Sequence, residues 1–250
     1  MSDKCKLSRL STGNEFISIP DITASTAGIE DAGFMHTGFR ACIELQGSDS
    51  CPFIKPVLEV DGKDLIAGNA QSEQVSYWIP RFTASAPTIS AEYLIFAPLD
   101  RRGFVCLLTV ENTSQGSVTV KAGAKGCWES TLHTANHSKR MSGVKHAIVS
   151  PVGGGVPIIE FRGNVPILAL ALVSQEPMPS RVYDGGSRNG DVDSVDEGPC
   201  TVAETPVYYE LIDEYVLGPS EKKVLPFYVA IGLEEVSAIA SAQELRLQGW

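Results

Sequence analysis

The chain has 250 residues, of which 43% are hydrophobic and 20% are charged, with 20 basic against 30 acidic side chains and a formal net charge of −10. This composition is typical of a globular protein that buries a core of its own. The acidic balance, and the lack of any run of more than two basic residues, argue against a nucleic acid partner and against a membrane partner.

The cysteines and the N-terminus indicate the compartment. The N-terminus has no apolar signal core, and no apolar run reaches the roughly 18 residues that a membrane span requires. The six cysteines form no C-x-x-C pair and have no histidine at zinc-binding spacing: Cys5, Cys42, Cys51, Cys106, Cys127 and Cys200. We therefore expect a cytoplasmic protein with reduced thiols, and we expect no metal and no cofactor.

Strand signals recur from residue 16 onward. Residues 40–45 are apolar with partial alternation, and residues 57–60 and 63–66 flank the dipeptide Asp61-Gly62. Because Asp-Gly accepts the positive φ angles of a type I′ turn, this segment predicts a short hairpin. Residues 90–96 predict a further strand.

Stronger strand signals fill the middle of the chain. Residues 104–112 are strongly apolar, and residues 117–123 alternate with period two, which predicts one buried and one wet face. Residues 156–161 are apolar, and residues 166–173 are apolar on both faces. The last of these strands should lie centrally in a sheet that is covered on both sides.

Two polar stretches interrupt the strand pattern, and we interpret both as surface loops. Residues 129–145 include His133 and His137, and residues 184–204 are rich in Gly, Ser and Asp. In the second stretch, the carboxylates have the density of a calcium loop: Asp191, Asp193 and Asp196. The stretch lacks the glycine and the spaced terminal glutamate of an EF-hand, so a solvated acidic loop is favoured.

The C-terminal part predicts two long strands and a helix. Residues 206–216 and 222–231 have strand patterns and are joined by a turn at residues 217–220. A helix is predicted over residues 233–247, with one face directed at the sheets and formed by Leu233, Val236, Ala240, Gln243 and Leu247, with Ile239 beside them.

The complete pattern predicts an all-β fold. We expect a two-sheet antiparallel β-sandwich over residues 1–232 and one C-terminal or linker α-helix over residues 233–250. Frequent strand signals separated by turns, with a single helical period at the end, are typical of a sandwich.

Three segments carry a family resemblance. Residues 104–128 combine an apolar strand, a polar turn and an alternating strand that ends in an aromatic residue. Residues 215–222 are similar to an L-x-P-G-E hairpin with Gly and Pro in reversed order, and residues 227–235 are similar to a final strand that runs into a linker helix. Together they resemble the N-terminal β-sandwich, or supersandwich, domain of glycoside hydrolases and phosphorylases with an (α/α)6 barrel, such as glucoamylase-like and debranching-type enzymes.

The resemblance implies a galactose mutarotase-like supersandwich and a non-catalytic role. In such enzymes the catalytic carboxylates lie mainly in the barrel, which would begin after Trp250, so no catalytic residue is assigned to this chain. Its implied partner is a C-terminal (α/α)6 catalytic domain, which it would brace. A reading frame that continues with helical repeats of roughly 40–50 residues would favour this interpretation.

Two other functions stay open. Aldose mutarotases share the supersandwich topology and use a histidine and a carboxylate as a general acid–base pair. Here His133 could face Glu210 or Glu214 on the late strand. The third alternative is a structural β-sandwich that forms a homo-oligomer and has no sugar ligand.

An oligosaccharide is the candidate ligand, and residues 128–145 are the candidate surface. We select four carbohydrate-contact candidates, because an aromatic face stacks on a sugar and imidazole and amide groups hydrogen-bond its hydroxyls: Trp128, His133, Asn136 and His137. The alternative is a packed tryptophan beside a surface loop. Metal binding by the two histidines is disfavoured because the residues around them favour a loop over a helix.

Overall fold

The computed structural model describes residues 9–36, 41–67, 69–76, 78–134, 138–151, 155–163, 168–185, 199–203 and 205–249. Within these ranges the chain is built of β-strands and a single α-helix, which confirms the predicted all-β class. The elements are β1 (Arg9–Gly13), β2 (Ile17–Thr23), β3 (Asp31–His36), β4 (Ala41–Gln46), β5 (Lys55–Val60), β6 (Lys63–Asp64), β7 (Gln71–Val75), β8 (Ile79–Ser85), β9 (Ile89–Phe96), β10 (Gly103–Asn112), β11 (Val118–Trp128), β12 (Ser130–Thr134), β13 (Ser138–Arg140), β14 (Gly143–Ser150), β15 (Val156–Gly163), β16 (Leu168–Ser174), β17 (Ser180–Asp184), β18 (Cys200–Val202), β19 (Val207–Leu217), β20 (Lys222–Gly232) and α1 (Glu235–Gln248).

The strands form three antiparallel sheets around a shared hydrophobic core. The six-stranded sheet has the order β1-β2-β3-β4-β12-β13, and the five-stranded sheet has the order β17-β19-β11-β5-β6. The nine-stranded sheet has the order β18-β14-β15-β16-β20-β10-β9-β8-β7. Only Glu129 separates β11 from β12, so the chain passes at this residue directly from the five-stranded sheet into the six-stranded sheet. The fold is a β-sandwich, as predicted.

The short hairpin predicted around Asp61-Gly62 is present. β5 pairs with β6, and the two turn residues have φ angles of 51° and 72°. Both angles lie in the left-handed region that a type I′ turn requires.

Two turns carry the chain from one sheet to another. β10 pairs with β9 and β20 in the nine-stranded sheet, whereas β11 pairs with β5 and β19 in the five-stranded sheet. β19 and β20 likewise lie in different sheets. The hairpin implied at residues 215–222 is therefore wrong. The reason is burial: β20 is apolar on both faces and lies between β10 and β16, while the second half of β19 has an exposed face.

Asn112 is fully buried where these two turns meet. Its Nδ2 group donates to the carbonyl oxygens of Gly116, Leu217 and Gly218 at 2.7, 3.0 and 2.9 Å. Its Oδ1 atom accepts from the backbone N–H and the hydroxyl of Ser114 at 2.9 and 2.8 Å. One side chain therefore ties the β10–β11 turn to the β19–β20 turn.

β16 is the doubly covered central strand that the sequence predicted. All of its residues are buried, and it lies between β15 and β20. Leu168, Leu170 and Leu172 face the main core, while Ala169 and Ala171 belong to a second cluster beneath α1.

The helix is present, but the predicted packing face is wrong. The buried residues of α1 are Ala238, Ile239, Ala242 and Leu245. They pack in the same cluster as small side chains of β16 and β20, which allow the alanine side of the helix to approach the sheet closely. The predicted stripe is mostly exposed instead, at Leu233, Val236, Ala240 and Leu247. No helix in the described ranges is long and apolar enough to cross a membrane.

The predicted loop over residues 129–145 is also wrong. β12 pairs with β4 and with β13, so the polar segment extends the six-stranded sheet. Polar side chains are compatible with this strand because Ser130 and His133 are only half-buried and the buried Thr131 accepts a hydrogen bond from Trp128. Most of the predicted acidic loop, residues 186–198 and 204, lies outside the described residues.

Candidate functional site

Trp128 is part of the core. Its side chain is fully buried, and its ring centroid lies 6.0 Å from that of Phe161. The indole Nε1 donates to the hydroxyl of Thr131 at 3.1 Å. Since its faces are covered, a sugar ring cannot stack on Trp128 in this structure. The packed tryptophan, which the sequence analysis kept as the alternative, is what the structure contains.

The histidine candidates are only partly described. His133 is half-buried on β12, opposite Ile43 of β4 and Lys139 of β13. Asn136 and His137 lie outside the described residues. Glu210 lies on β19, which belongs to the five-stranded sheet, so strand pairing does not bring it to His133.

A large polar cleft lies beside this strand. It has a volume of about 830 Å³ and is bordered by β12, β13 and the ends of β14 and β15. Pockets for small ligands have volumes on the order of 300–1,000 Å³. Its lining includes Glu129, Ser130, Arg140, Lys145, Phe161 and Arg162. The sequence analysis had selected this region, but for other residues.

Lys145 is the buried cation of the cleft. The residue is 2% exposed, and its Nζ donates to the main-chain carbonyl oxygen of Glu129 at 2.6 Å. Burial lowers the pKa of Lys145 from 10.5 to about 8, and the charge of Arg140 acts in the same direction. Cys127, Glu129 and Asp184 act in the opposite direction but do not compensate. The ammonium group is therefore poorly stabilised by its surroundings.

The other two cations of the cleft differ from each other. Arg140 ends β13 and is exposed. Arg162 forms an ion pair with Glu160, and it is opposite Val144 in the β14–β15 register, whereas Lys145 is opposite Phe161. Because successive residues of a strand point to opposite faces, Arg162 and Lys145 point to opposite faces of the sheet. Arg140, whose charge lowers the pKa of Lys145, is therefore the second cation that lines the cleft without a described ion pair.

Sequence reasoning missed Lys145 because residues 129–145 were interpreted as a loop. The sequence offered no signal for it, because the apolar Val144 is exposed here and the charged Lys145 beside it is buried. A lysine at an inward position of a strand is rare unless it has a partner or a function.

A cluster of carboxylates lies on the six-stranded sheet. In the described part of the chain, Oδ1 of Asp31 is buried and has no hydrogen-bond partner. Burial raises the pKa of Asp31 from 3.8 to about 6, with further contributions from Glu44, Asp21 and Glu30. Within the described ranges, histidine, cysteine, aspartate and glutamate form no group of three or more that could hold a metal ion.

Asp31→Asn is expected to stabilise the fold at pH 7 by about 1–2 kcal/mol, after allowance for partial exposure. The folded chain binds more protons than the unfolded chain between pH 3.8 and about 6, so the wild-type protein loses stability as the pH rises through that range. The gain should therefore vanish near pH 4. Urea unfolding at pH 4 and pH 7 measures it, with the exposed Asp49→Asn as control; an equal gain at both pH values would contradict this account.

Exposed apolar side chains lie on one face of α1 and beside its two ends. Leu233, Val236 and Leu247 are 45%, 71% and 82% exposed, and Met35 and Leu99 beside them are 60% and 76% exposed. We call these five residues the α1 strip.

Two contacts place Met35 and Leu99 next to the two ends of α1. Leu233 and Met35 line the same small pocket. Leu99 precedes the turn in which Arg101 Nε donates to Gln248 Oε1 at 2.8 Å, next to Leu247. Single exposed apolar residues are ordinary, but a continuous apolar patch marks an interaction surface.

Comparison with known proteins gives a fold and no family. No protein-family profile and no curated protein sequence matches the chain. Among solved structures, the aldose epimerase homologue from C. elegans is similar with a TM-score of 0.56 and 9% identity, over 90% of this chain and 98% of that one. A galactose mutarotase related enzyme from Lactobacillus acidophilus is similar with a TM-score of 0.54 and 10% identity, over 90% of this chain and 97% of that one.

The same fold occurs as part of larger proteins. A proposed kojibiose phosphorylase from the human microbiome is similar with a TM-score of 0.50 and 14% identity, over 98% of this chain but 33% of that one. The identities are low, so these similarities establish the fold alone. The chain has the galactose mutarotase-like β-sandwich fold, which is found both as an entire protein and as one domain of a longer enzyme.

Proposed function

We propose that this chain is a non-catalytic β-sandwich domain of a carbohydrate-active enzyme, which braces an (α/α)6 catalytic domain and offers its cleft to a saccharide. The observation that carries the bracing role is the α1 strip. Its helix is apolar on two faces, and one of them already packs on β16 and β20. The second face stays exposed, as expected of a helix that lies between two domains.

Position along the chain supports the same role. α1 directly follows β20 and is the last described element, so a domain that follows in the chain would begin beside the strip. The match to about a third of a phosphorylase-type chain fits such an arrangement. Interfaces between domains of one chain are more polar than obligate interfaces, which agrees with a narrow strip flanked by Arg101 and Glu244.

The gene provides the first test. We expect the reading frame to continue past codon 250 and to encode helical repeats of roughly 40–50 residues. A stop codon directly after codon 250 would contradict a catalytic domain in the same chain.

A substitution in the strip provides the second test. In the protein that carries both domains, Val236→Glu should split one calorimetric unfolding transition into two, because a charge in the interface uncouples the domains. Val216→Glu is the matched control, since Val216 is 67% exposed on β19 and outside the strip. A single transition that is unchanged by Val236→Glu would refute the bracing role.

An aldose mutarotase is the second candidate, and one observation favours it. The chain covers 97–98% of the two epimerase-like proteins. The matched length of those proteins therefore leaves almost no room for a second domain. Polarimetry decides between the two functions: acceleration of α-D-galactose or α-D-glucose mutarotation by this chain would contradict a non-catalytic role. No acceleration is expected.

A structural homo-oligomer is the third candidate. Light scattering across a concentration series tests it, because the α1 strip could bind a second copy of the chain. We expect a monomer; a dimer that Val236→Glu abolishes would assign the strip to self-association instead of bracing.

A further inference from the structure

We propose that the cleft binds an anionic saccharide, a sugar that carries a carboxylate or a phosphate, and that Lys145 and Arg140 bind its charged group. This inference rests on the proposed saccharide role of the cleft and adds the chemical class of the ligand.

The balance of charges in the cleft is the first argument. The chain has a net charge of −10, but in the lining of the cleft the cations Arg140 and Lys145 outnumber the one carboxylate, Glu129, even when Arg162 is left out because it is paired with Glu160. A concave site of one sign focuses the field and attracts ligands of the opposite sign. The local charge therefore opposes the charge of the whole molecule.

The position of Lys145 is the second argument. Its Nζ makes one described hydrogen bond, to the carbonyl of Glu129, although an ammonium group has three donors. Residues that face this amine include Cys127, Glu129 and Asp184, with Arg140 as a second cation. The burial of the amine outweighs the nearby carboxylates, so its charge is incompletely compensated.

A bound anion would supply the missing compensation. Lys145 and Arg140 are two like charges close enough to influence each other, which is unfavourable in a partly buried cleft. An oxyanion between them converts this repulsion into two charge-assisted hydrogen bonds. Ser130 and Ser142 also line the cleft and offer polar contacts to a sugar.

Calorimetric titration of the 250-residue chain tests the ligand class. The probes are D-galacturonate against D-galactose and glucose 6-phosphate against glucose, which separates a carboxylate from a phosphate ligand. At least one charged sugar should bind about tenfold or more tightly than its neutral partner. Added salt should weaken that binding.

Three variants locate the contact. Lys145→Met and Arg140→Gln should each weaken binding of the charged sugar about tenfold and leave the neutral sugar unaffected. Arg162→Gln is the matched control and should change binding less than about threefold, since Arg162 is on the opposite face and is paired with Glu160. An unfolding curve for each variant verifies that it folds.

Proton uptake gives an independent result. An anion raises the pKa of Lys145 from about 8, so binding near pH 8.5 should take up protons, seen as a heat that depends on the ionisation enthalpy of the buffer. Affinity should fall as the pH rises above 8, and Lys145→Met should remove this dependence.

The outcomes separate this inference from the proposed function. Equal affinity for charged and neutral sugars would overturn the anionic ligand while supporting a saccharide cleft. Inorganic phosphate that binds as tightly as glucose 6-phosphate would show an anion site without sugar recognition and would also overturn the inference. No binding of any sugar at high millimolar concentration would refute the saccharide role of the cleft itself, and the inference with it.

Discussion

Asn112→Leu is expected to lower the free energy of unfolding by about 3–5 kcal/mol, which is in the range of the most damaging single substitutions. Leucine is similar in volume but offers neither donor nor acceptor. The carbonyl oxygens of Gly116, Leu217 and Gly218 would lose their shared donor, and the Ser114 hydroxyl would lose its acceptor. Buried polar groups left without partners each cost about 1–3 kcal/mol.

Two further variants separate the causes. Asn112→Asp keeps the shape and the acceptor but removes the donors and introduces a buried charge, so it should be equally destabilising at pH 7. Ser114→Ala removes one partner at the edge of the network and should cost less than about 1 kcal/mol. Urea unfolding measures all three. A loss below about 1 kcal/mol for Asn112→Leu would show that the two turns are held together by other contacts.

The sequence predicted the elements whose pattern is local. The turn at Asp61-Gly62 follows from the φ angles that these two residues accept, and the central position of β16 follows from its apolar character on both faces. Cys106 lies within residues 104–112, whose apolar character predicts a strand, and it is fully buried in the core. In each of these cases the local sequence is sufficient to determine the backbone conformation or the burial of the residue.

Strand pairing could not be predicted in the same way. β10 and β11, or β19 and β20, are close in sequence, and their turns look like hairpin turns. Whether such a turn closes a hairpin or crosses between sheets depends on partners far away in sequence, such as β16 for β20. Asn112 lies within residues 104–128, which carry part of the resemblance, but its hydrogen bonds across 105 and 106 residues cannot be derived from a local pattern.

The face of the helix shows a different limit. Leucine and valine at a regular spacing indicated the stripe at Leu233, Val236 and Leu247, yet Ala238 and Ala242 are the residues that face the sheet. Hydrophobicity ranks leucine above alanine, whereas Ala169 and Ala171 of β16 and Ala230 of β20 lie in the cluster beneath the helix and favour small helix residues, because the helix can then approach closely. A helix with two apolar faces gives one periodic signal that does not identify which face has a partner inside the domain.

The sequence predicted the region of the candidate site but not the residues that line it. The hairpin of β12 and β13 does border the cleft, but Trp128 is packed in the core and Lys145 had not been selected. Aromatic residues and histidines attract attention in a sequence, whereas a lysine is normally on the surface. The properties of Lys145 arise from its burial between strands that are joined only in the folded chain.

Lys145→Met is expected to stabilise the folded chain at pH 7 although it removes a hydrogen bond. The pKa of Lys145 is about 8 in the folded protein against an ordinary 10.5, so the charged form is disfavoured by roughly 3 kcal/mol. Methionine fills a similar volume without charge, but it leaves the Glu129 carbonyl without its donor, which costs about 1 kcal/mol or more. The expected net gain in the free energy of unfolding is about 1–2 kcal/mol, or roughly 2–6 °C in melting temperature.

The pH dependence identifies the cause of this gain. Between pH 8 and 10.5 the unfolded chain binds more protons at Lys145 than the folded chain, so the stability of the wild-type protein rises with pH in this range. The advantage of Lys145→Met should therefore be full below pH 8 and should turn into a loss of about 1 kcal/mol towards pH 10.5, where only the missing hydrogen bond remains, while the exposed Lys139→Met shows no such change. A constant difference between the proteins from pH 7 to pH 10.5 would contradict the buried ammonium. A gain as predicted would show that the fold tolerates a destabilising cation in its cleft, which is the usual cost of a residue kept for binding.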